Sequence, residues 1–159
     1  MQTPKKLIER KLCRLSSFLN QACKEFDNIA LYIKEKKTRT SVRSVAVETR
    51  QYINELNSQL QTLRMKCTID NDVNEELNNR YSSSSSSSNI TDKKIIERCC
   101  KSEEYFEKAY RSILNEYFPY TGLRDILIYQ LNGIKCAFMQ LKLLNSVMPS
   151  KTTYSNVLF

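Results

Sequence analysis

The chain has 159 residues, of which 25 are Lys or Arg and 17 are Asp or Glu, so its formal net charge is +8. It contains only 2 glycines and no histidine. Two glycines are too few for a Gly-rich phosphate loop or dinucleotide turn. The absence of histidine excludes Ser-His-Asp triads, Cys/His zinc sites and the usual general base. The composition therefore indicates a helical protein without catalytic activity.

The first predicted helix begins with Thr3 as its N-cap and Pro4 in the first helical position. Its apolar residues recur at alternating spacings of four and three: Ile8, Leu12, Leu15, Leu19, Ala22, Phe26, Ile29 and Ile33. This unbroken pattern is typical of heptad-patterned helices in coiled coils and bundles. Phe18, Ala30 and Tyr32 widen the stripe, which favours a bundle with several neighbours over a two-stranded coiled coil.

A polar, basic segment follows at residues 34–41, and we expect it to be a loop in which Thr40 or Ser41 caps the next helix. Residues 1–50 hold 12 basic and 5 acidic side chains, so the positive charge is concentrated in this part of the chain. The candidate anion-binding residues of this basic elbow (residues 34–43) are Lys34, Lys36, Lys37, Arg39 and Arg43. Such a cluster is either a solvated surface or a contact site for nucleic acid, acidic protein or anionic lipid.

The second predicted helix covers residues 42–67 and repeats the spacing of three and four. Its apolar stripe consists of Val42, Val45, Thr49, Tyr52, Leu56, Leu60, Leu63 and Cys67. Because two helices of similar length are joined by a short connection, residues 1–67 are expected to form an antiparallel hairpin.

Residues 68–91 change character and form a predicted linker. An acidic, asparagine-rich stretch precedes seven consecutive serines at 82–88, which bury nothing and are expected to be disordered. The acidic stretch does not fit a calcium loop, because Glu75 and Tyr81 stand where that loop needs a glycine and a carboxylate.

Two further helices are predicted after the linker. The third begins near Thr91 and ends before Pro119, with Ile95, Cys99, Ser102, Phe106, Ala109, Ile113 and Tyr117 on its apolar face. The fourth covers residues 123–148 and carries Leu123, Ile126, Leu127, Leu131, Ile134, Ala137, Phe138, Leu141, Leu144 and Met148. It is the most apolar of the four, so it is either the central helix of the bundle or a helix that awaits a partner. Residues 149–159 form a tail.

The sequence thus predicts an all-α fold with two long helical hairpins, at residues 1–67 and 92–148. They are heptad-patterned, like a coiled coil or a four-helix bundle, and a disordered polyserine linker joins them.

The six cysteines occur in a chain without a recognisable secretion signal or an uninterrupted apolar stretch long enough to span a membrane. We therefore expect an intracellular location, nuclear or cytoplasmic, where cysteines stay reduced and act as small buried apolar residues. Residues 36–39 also fit the short class of basic nuclear import signals. The adjacent Cys99 and Cys100 diverge by about 100° on a helix and do not bind one metal ion together.

Two hypotheses for the function follow, and neither requires a cofactor or a metal. In size and heptad pattern the chain resembles small helical subunits of multiprotein assemblies, which implies a non-enzymatic scaffold that associates with helical protein partners, identical or different. The candidate core and partner-binding residues are Ile8, Leu12, Leu15, Leu19, Phe26, Ile29, Ile33, Leu56, Leu60, Leu63, Leu127, Leu131, Ile134, Phe138 and Leu141. The alternative is a module that binds nucleic acid or another anionic surface through the basic elbow.

Overall fold

The computed structural model describes residues 3–67 and 90–147, and every regular element in these two stretches is an α-helix. The helices are α1 (Pro4–Ala30), α2 (Lys36–Thr62), α3 (Asp92–Lys101), α4 (Glu103–Leu114) and α5 (Thr121–Ser146). α3 and α4 are parts of one helix interrupted at Ser102, so the described chain has four helical rods and the predicted all-α fold is confirmed. The polyserine linker and the tail were predicted for segments that lie outside the described residues.

The four rods form a bundle in which neighbouring rods run antiparallel. α1 packs against α2 and α4, whereas α5 packs against α2 and against both α3 and α4. The third rod starts beside the α1–α2 connection, where Asp92 accepts a hydrogen bond from the amide of Lys34. It ends near the start of α1, where Lys11 pairs with Glu116. The third rod therefore runs parallel to α2, which lies diagonally opposite it in the bundle. Cys67 and Ile90, the described residues on either side of the predicted linker, lie at opposite ends of the bundle.

A single apolar core lies between the two hairpins. Phe106 on α4 stacks edge-on against Phe18 on α1, with ring centroids 5.0 Å apart. Phe138 on α5 lies 5.5 Å from Phe106 and 6.0 Å from Phe26 on α1, again between ring centroids. Tilted and edge-to-face arrangements at these distances are the favourable ones for aromatic pairs. The rings join both hairpins, so each half covers apolar surface of the other.

The start of α1 agrees with the sequence, but the start of α2 does not. Thr3 caps α1 by accepting from the amide of Lys6 at 3.2 Å, as expected. α2 begins already at Lys36, because the Glu35 carboxylate accepts from the amides of Lys37 at 3.1 Å and Thr38 at 2.7 Å. Hydrogen bonds from Thr38 also hold the pKa of Glu35 below its ordinary value. The expected connection between the two helices is present, but it covers residues 31–35 and not 34–41, and the expected cap at Thr40 or Ser41 is wrong. Most of the basic elbow therefore lies on the first turns of α2.

The end of α2 comes earlier than predicted. The helix stops at Thr62 because Arg64 adopts a left-handed conformation with φ 55°. The amide of Met65 donates to Leu60 O at 2.8 Å and that of Arg64 donates to Gln61 O at 3.0 Å, which is the bonding pattern of a Schellman motif. The sequence did not indicate this end, since arginine is not a residue that usually occupies the left-handed position.

The third predicted helix is interrupted and ends early. At the interruption, the hydroxyl of Ser102 donates to Cys99 O at 2.5 Å. The helix ends at Leu114 and not at the residue before Pro119. The guanidinium of Arg124 donates to two carbonyls at this end, those of Leu114, the last helical residue, at 3.1 Å and of Glu116 at 3.0 Å. A side chain from α5 thus stabilises a helix end that local sequence does not specify.

Candidate interaction surfaces

The apolar stripe that the sequence singles out is buried inside the chain's own bundle. Thirteen of its side chains are at most 5% exposed: Ile8, Leu12, Leu15, Leu19, Phe26, Ile33, Leu56, Leu60, Leu127, Leu131, Ile134, Phe138 and Leu141. Ile29 and Leu63 are partly buried and pack against the same core. These residues hold the two hairpins together, so a surface for another protein has to be sought among exposed side chains. Coiled-coil packing in the strict sense stays a prediction.

The outer side of α5 exposes large apolar side chains. Ile128, Tyr129, Met139 and Leu143 are between 41% and 63% exposed, and Val147 follows the helix at 77%. Cys136 is also exposed on this helix. Residues three, four, seven and eight apart share one side of a helix, so these side chains form a stripe that only Asn132 interrupts. A stripe of this kind exceeds the scattered apolar residues of ordinary protein surfaces.

Open grooves run along both sides of this stripe. The groove between α2 and α5 has a volume of about 420 Å³ and is lined by residues that include Glu55, Gln59 and Tyr129. The groove between the α3–α4 rod and α5 has a volume of about 530 Å³, and Cys100 and Met139 contribute to its lining. The exposed side of α5 is therefore a ridge between two depressions, a relief into which the side chains of another helix can pack.

Behind the ridge, the buried side of α5 contains a polar residue that is fully satisfied. The side-chain amide of Gln130 donates to Glu55 Oε1 at 2.9 Å and to Tyr52 O at 3.3 Å, both on α2. Its carbonyl accepts from the Tyr110 hydroxyl on α4 at 2.8 Å. Burial raises the pKa of Tyr110, so this hydroxyl keeps the proton that it donates. Gln130 thereby fixes the register of α5 against α2 and α4.

Gly133 permits the close approach of α2 to α5. A Cβ atom at this position would lie 1.9 Å from the hydroxyl oxygen of Tyr52. That hydroxyl donates to Glu48 Oε1 at 2.6 Å, and burial together with this hydrogen bond raises the pKa of Tyr52. The predicted fourth helix, residues 123–148, is confirmed as α5 with ends shifted by two residues. The glycine inside it serves helix packing, because it leaves room for the Tyr52 hydroxyl.

The structure divides the basic elbow into a structural arginine and exposed cations. Arg39 donates from Nε to Ile33 O at 3.1 Å and from Nη2 to Lys34 O at 3.2 Å, so it stabilises the α1–α2 connection. The other four predicted anion-binding residues, Lys34, Lys36, Lys37 and Arg43, are exposed. Four cations thus remain accessible at this end of the bundle.

The third rod brings further positive charge to the basic elbow. The Asp92 carboxylate accepts from the amides of Lys34 and Glu35, each at 2.9 Å. This contact places Lys93 and Lys94, the next two residues, beside the elbow. Neither lysine was predicted to lie at the elbow, because a separation of 58 residues along the chain leaves no local signal of the contact.

A disulfide joins Cys13 on α1 to Cys67, which follows α2, with 5.3 Å between their Cα atoms. The amide of Lys66 donates to Glu9 Oε2 at 3.1 Å beside it. The expectation that all cysteines are unbonded apolar residues is therefore wrong for this pair. No local pattern indicates the pairing, since the two residues are 54 positions apart in the sequence.

The four remaining cysteines are free thiols in different surroundings. Cys23 and Cys99 are buried, Cys100 is half-buried and Cys136 is exposed. Burial raises the pKa of Cys23 and Cys100, and raises that of Cys99 to about 12. Cys99 lies in the core, as its place on the predicted apolar face indicates, and Cys100 packs against the edge of the core.

Comparison with known proteins gives no relative: no family model, no curated protein and no solved structure matches the chain. In residues 3–67 and 90–147, no helix combines the length and the apolar character needed to cross a membrane. The same two stretches contain no group of three or more His, Cys, Asp or Glu side chains placed to hold a metal ion. The surface of the bundle is therefore the basis for assigning a function.

Proposed function

We propose that this protein is a non-enzymatic structural subunit that assembles with other chains through the exposed side of α5, and that a second copy of the same chain is a partner. The observation that carries the proposal is the stripe of large apolar side chains on that side, which includes Ile128, Met139 and Leu143. Exposed apolar surface of this extent usually marks an interface. The non-enzymatic part rests on the lack of histidine in the whole sequence.

The order of residues along the stripe supports pairing between two copies. In an antiparallel pair of α5 helices with two-fold symmetry, residue i of one helix faces residue j of the other and the reverse. If Cys136 lies on the axis, Tyr129 faces Leu143 of the second copy, and the amide side chain of Asn132 faces that of Gln140. In these two pairs an apolar residue meets an apolar residue and an amide meets an amide, whereas Val147 at the end of the stripe faces Asp125.

The charges beside the stripe are compatible with such a pair. Two lysines of α5 lie at its edge, and each has an acidic partner in its own chain: Lys135 contacts Glu107 at 3.2 Å, and Lys142 contacts Glu103. Because these lysines are paired, bringing two α5 helices together does not place uncompensated like charges side by side. A contact made mainly by one helix is small, so we expect dissociation constants of about 1 μM or weaker.

The experiment is a measurement of molar mass in solution over a hundredfold range of concentration, by light scattering or sedimentation. We expect the wild-type mass to rise from 18.6 kDa towards twice that value. The double variant Met139→Asp with Leu143→Asp should stay monomeric, because aspartates in the stripe cannot be buried. The matched control is Val47→Asp, which changes an apolar side chain of similar exposure on α2 and should associate like the wild type.

Two results would contradict the proposal. One is a wild-type chain that stays monomeric over the whole range, which would leave only a different protein as the partner of α5. The other is an equal loss of association in the Val47 control. Circular dichroism of each variant separates loss of association from loss of folding. The intracellular location expected from the sequence stays a prediction.

A further inference from the structure

The end of the bundle that carries the α1–α2 connection combines exposed apolar and basic side chains. Leu31 is 67% exposed and Tyr32 is 50% exposed, and both directly precede the basic elbow. The surface formed by Leu31, Tyr32, Lys34, Lys36, Lys37, Lys93 and Lys94 is called the basic tip here; Lys93 is half-buried and the other six are exposed. Its two apolar side chains lie in the connection itself, with lysines from two different rods around them.

The basic tip has a strong excess of positive charge. Together with Arg39 and Arg43, its lysines make seven basic side chains against two acidic ones, Glu35 and Asp92, for a net charge of +5. Both carboxylates accept hydrogen bonds from backbone amides and hold the connection in place. An anion approaching this end of the bundle therefore meets a predominantly positive surface.

The connection at the basic tip is fixed by the fold and needs little ordering on binding. Ile33 is buried in the core between the exposed apolar pair and the lysines. Arg39 holds the carbonyls of Ile33 and Lys34, and Asp92 holds the amides of Lys34 and Glu35. A preformed surface loses less conformational entropy when it binds than a flexible one.

We propose that the basic tip binds the surface of anionic lipid bilayers, with Leu31 and Tyr32 inserted among the headgroups and the lysines in contact with lipid phosphates and carboxylates. Nucleic acid would explain the charge but not the apolar pair. An exposed leucine and tyrosine gain from burial at the boundary between headgroups and acyl chains, where basic side chains gain from anionic lipids. This inference is independent of the proposed assembly through α5.

The chain contains no tryptophan, so one substitution supplies a specific probe of insertion. In the variant Leu31→Trp, we expect the fluorescence emission to shift to shorter wavelength with vesicles of phosphatidylcholine containing about a third phosphatidylserine. Vesicles of phosphatidylcholine alone should give no shift, because the electrostatic attraction is absent. The matched control is Val47→Trp on α2, which should show no shift with either vesicle. No shift at Leu31, or an equal shift at Val47, overturns the proposal.

Co-sedimentation with the same vesicles tests the charges. Each lysine near an anionic surface strengthens binding by about fivefold, so the variant Lys36→Glu with Lys37→Glu should bind at least about tenfold more weakly. The control Lys5→Glu with Lys6→Glu makes the same change at the opposite end of the bundle and should bind like the wild type. Equal weakening in both variants overturns the assignment to the basic tip.

A short DNA duplex in the same assay decides between lipid and nucleic acid. We expect the chain to bind anionic vesicles more tightly than the duplex, and Leu31→Ser with Tyr32→Ser to weaken vesicle binding. Tighter binding to the duplex, unaffected by this pair of substitutions, overturns the proposal in favour of nucleic acid. The Met139 and Leu143 aspartate variant should still bind vesicles, which keeps this test separate from that of assembly through α5.

Discussion

The two hairpins differ in how completely their apolar side chains are buried. In α1 and α2 the only large apolar side chain that is strongly exposed within a helix is Val47, and a disulfide closes the hairpin at its open end. In the second hairpin α5 exposes Ile128, Tyr129, Met139 and Leu143 while its other side forms core. The difference shows that an apolar stripe on one side of a helix can be buried completely within the bundle. A helix that is apolar on almost every side leaves one side exposed to solvent or to a partner.

The largest effect should come from the buried side of α5. Phe138→Ala removes a ring that contacts both Phe26 and Phe106, and we expect a loss of about 3–5 kcal/mol in the free energy of unfolding. Leu143→Ala on the exposed side of the same helix should change it by less than about 0.5 kcal/mol. Urea denaturation at a concentration where the chain is monomeric measures both, and similar losses would remove the distinction between the two sides.

The disulfide of the first hairpin should have the next largest effect. Closing a loop of 54 residues corresponds to a stabilisation of about 4 kcal/mol in the chain-entropy model. We therefore expect Cys13→Ser with Cys67→Ser to lower the urea midpoint strongly. Cys136→Ser, at an exposed thiol outside the bond, is the control and should leave the midpoint unchanged. Mass spectrometry of the native chain should find two hydrogens fewer than in the reduced chain, and a fully reduced protein would contradict the assigned bond.

A smaller loss is expected at the contact between the hairpins. Gly133→Ala places a methyl group where the Tyr52 hydroxyl lies, and overpacking of this kind costs about 1–3 kcal/mol. Combining it with Tyr52→Phe should recover part of the loss, because the colliding oxygen is then absent. Gly122→Ala is the control, since a Cβ there meets nothing within 4 Å. Strictly additive losses from Gly133 and Tyr52 would show that the two residues do not touch.

The mildest test leaves stability unchanged and compares an exposed thiol of the second hairpin with a buried one. At about pH 8, a thiol reagent should modify Cys136 first, because it is exposed. Cys99 should react only after denaturation, since burial raises its pKa to about 12 and keeps the thiol protonated and inaccessible at that pH. Peptide mapping identifies the labelled residue. Rapid labelling of Cys99 would mean that the second hairpin opens in solution.

Much of the fold follows from the sequence because it depends on periodicity. The spacing of apolar residues identified the core side of α1 and α2 and the buried residues of α5. Thr3 caps α1 as expected, and α3 begins next to Thr91, where the third helix was predicted to start. The helix boundaries that were predicted wrongly depend on polar side chains, which do not follow the spacing of the apolar residues. The start of α2 depends on a carboxylate cap at Glu35, and the end of α4 depends on Arg124 from another helix.

The candidate surfaces were less accessible to sequence analysis than the core. The apolar excess of α5 indicated a helix in need of cover, but only the structure shows that Ile128, Met139 and Leu143 are exposed together on one side of it. Lys94 joins the basic elbow through the contact of Asp92 with the α1–α2 connection. Contacts of this kind are made across the fold and leave no periodic trace in the sequence.

Cross-linking through Cys136 tests the central claim most directly. Two α5 helices that pair antiparallel about this residue bring the two exposed thiols together, so mild oxidation of the native chain should produce a covalent dimer. Cys136→Ser should abolish the product, and Leu143→Asp should strongly reduce it while leaving the thiol in place. A dimer that forms equally well in the Leu143 variant, or no dimer from the wild-type chain at concentrations of about 100 μM, would contradict assembly through α5.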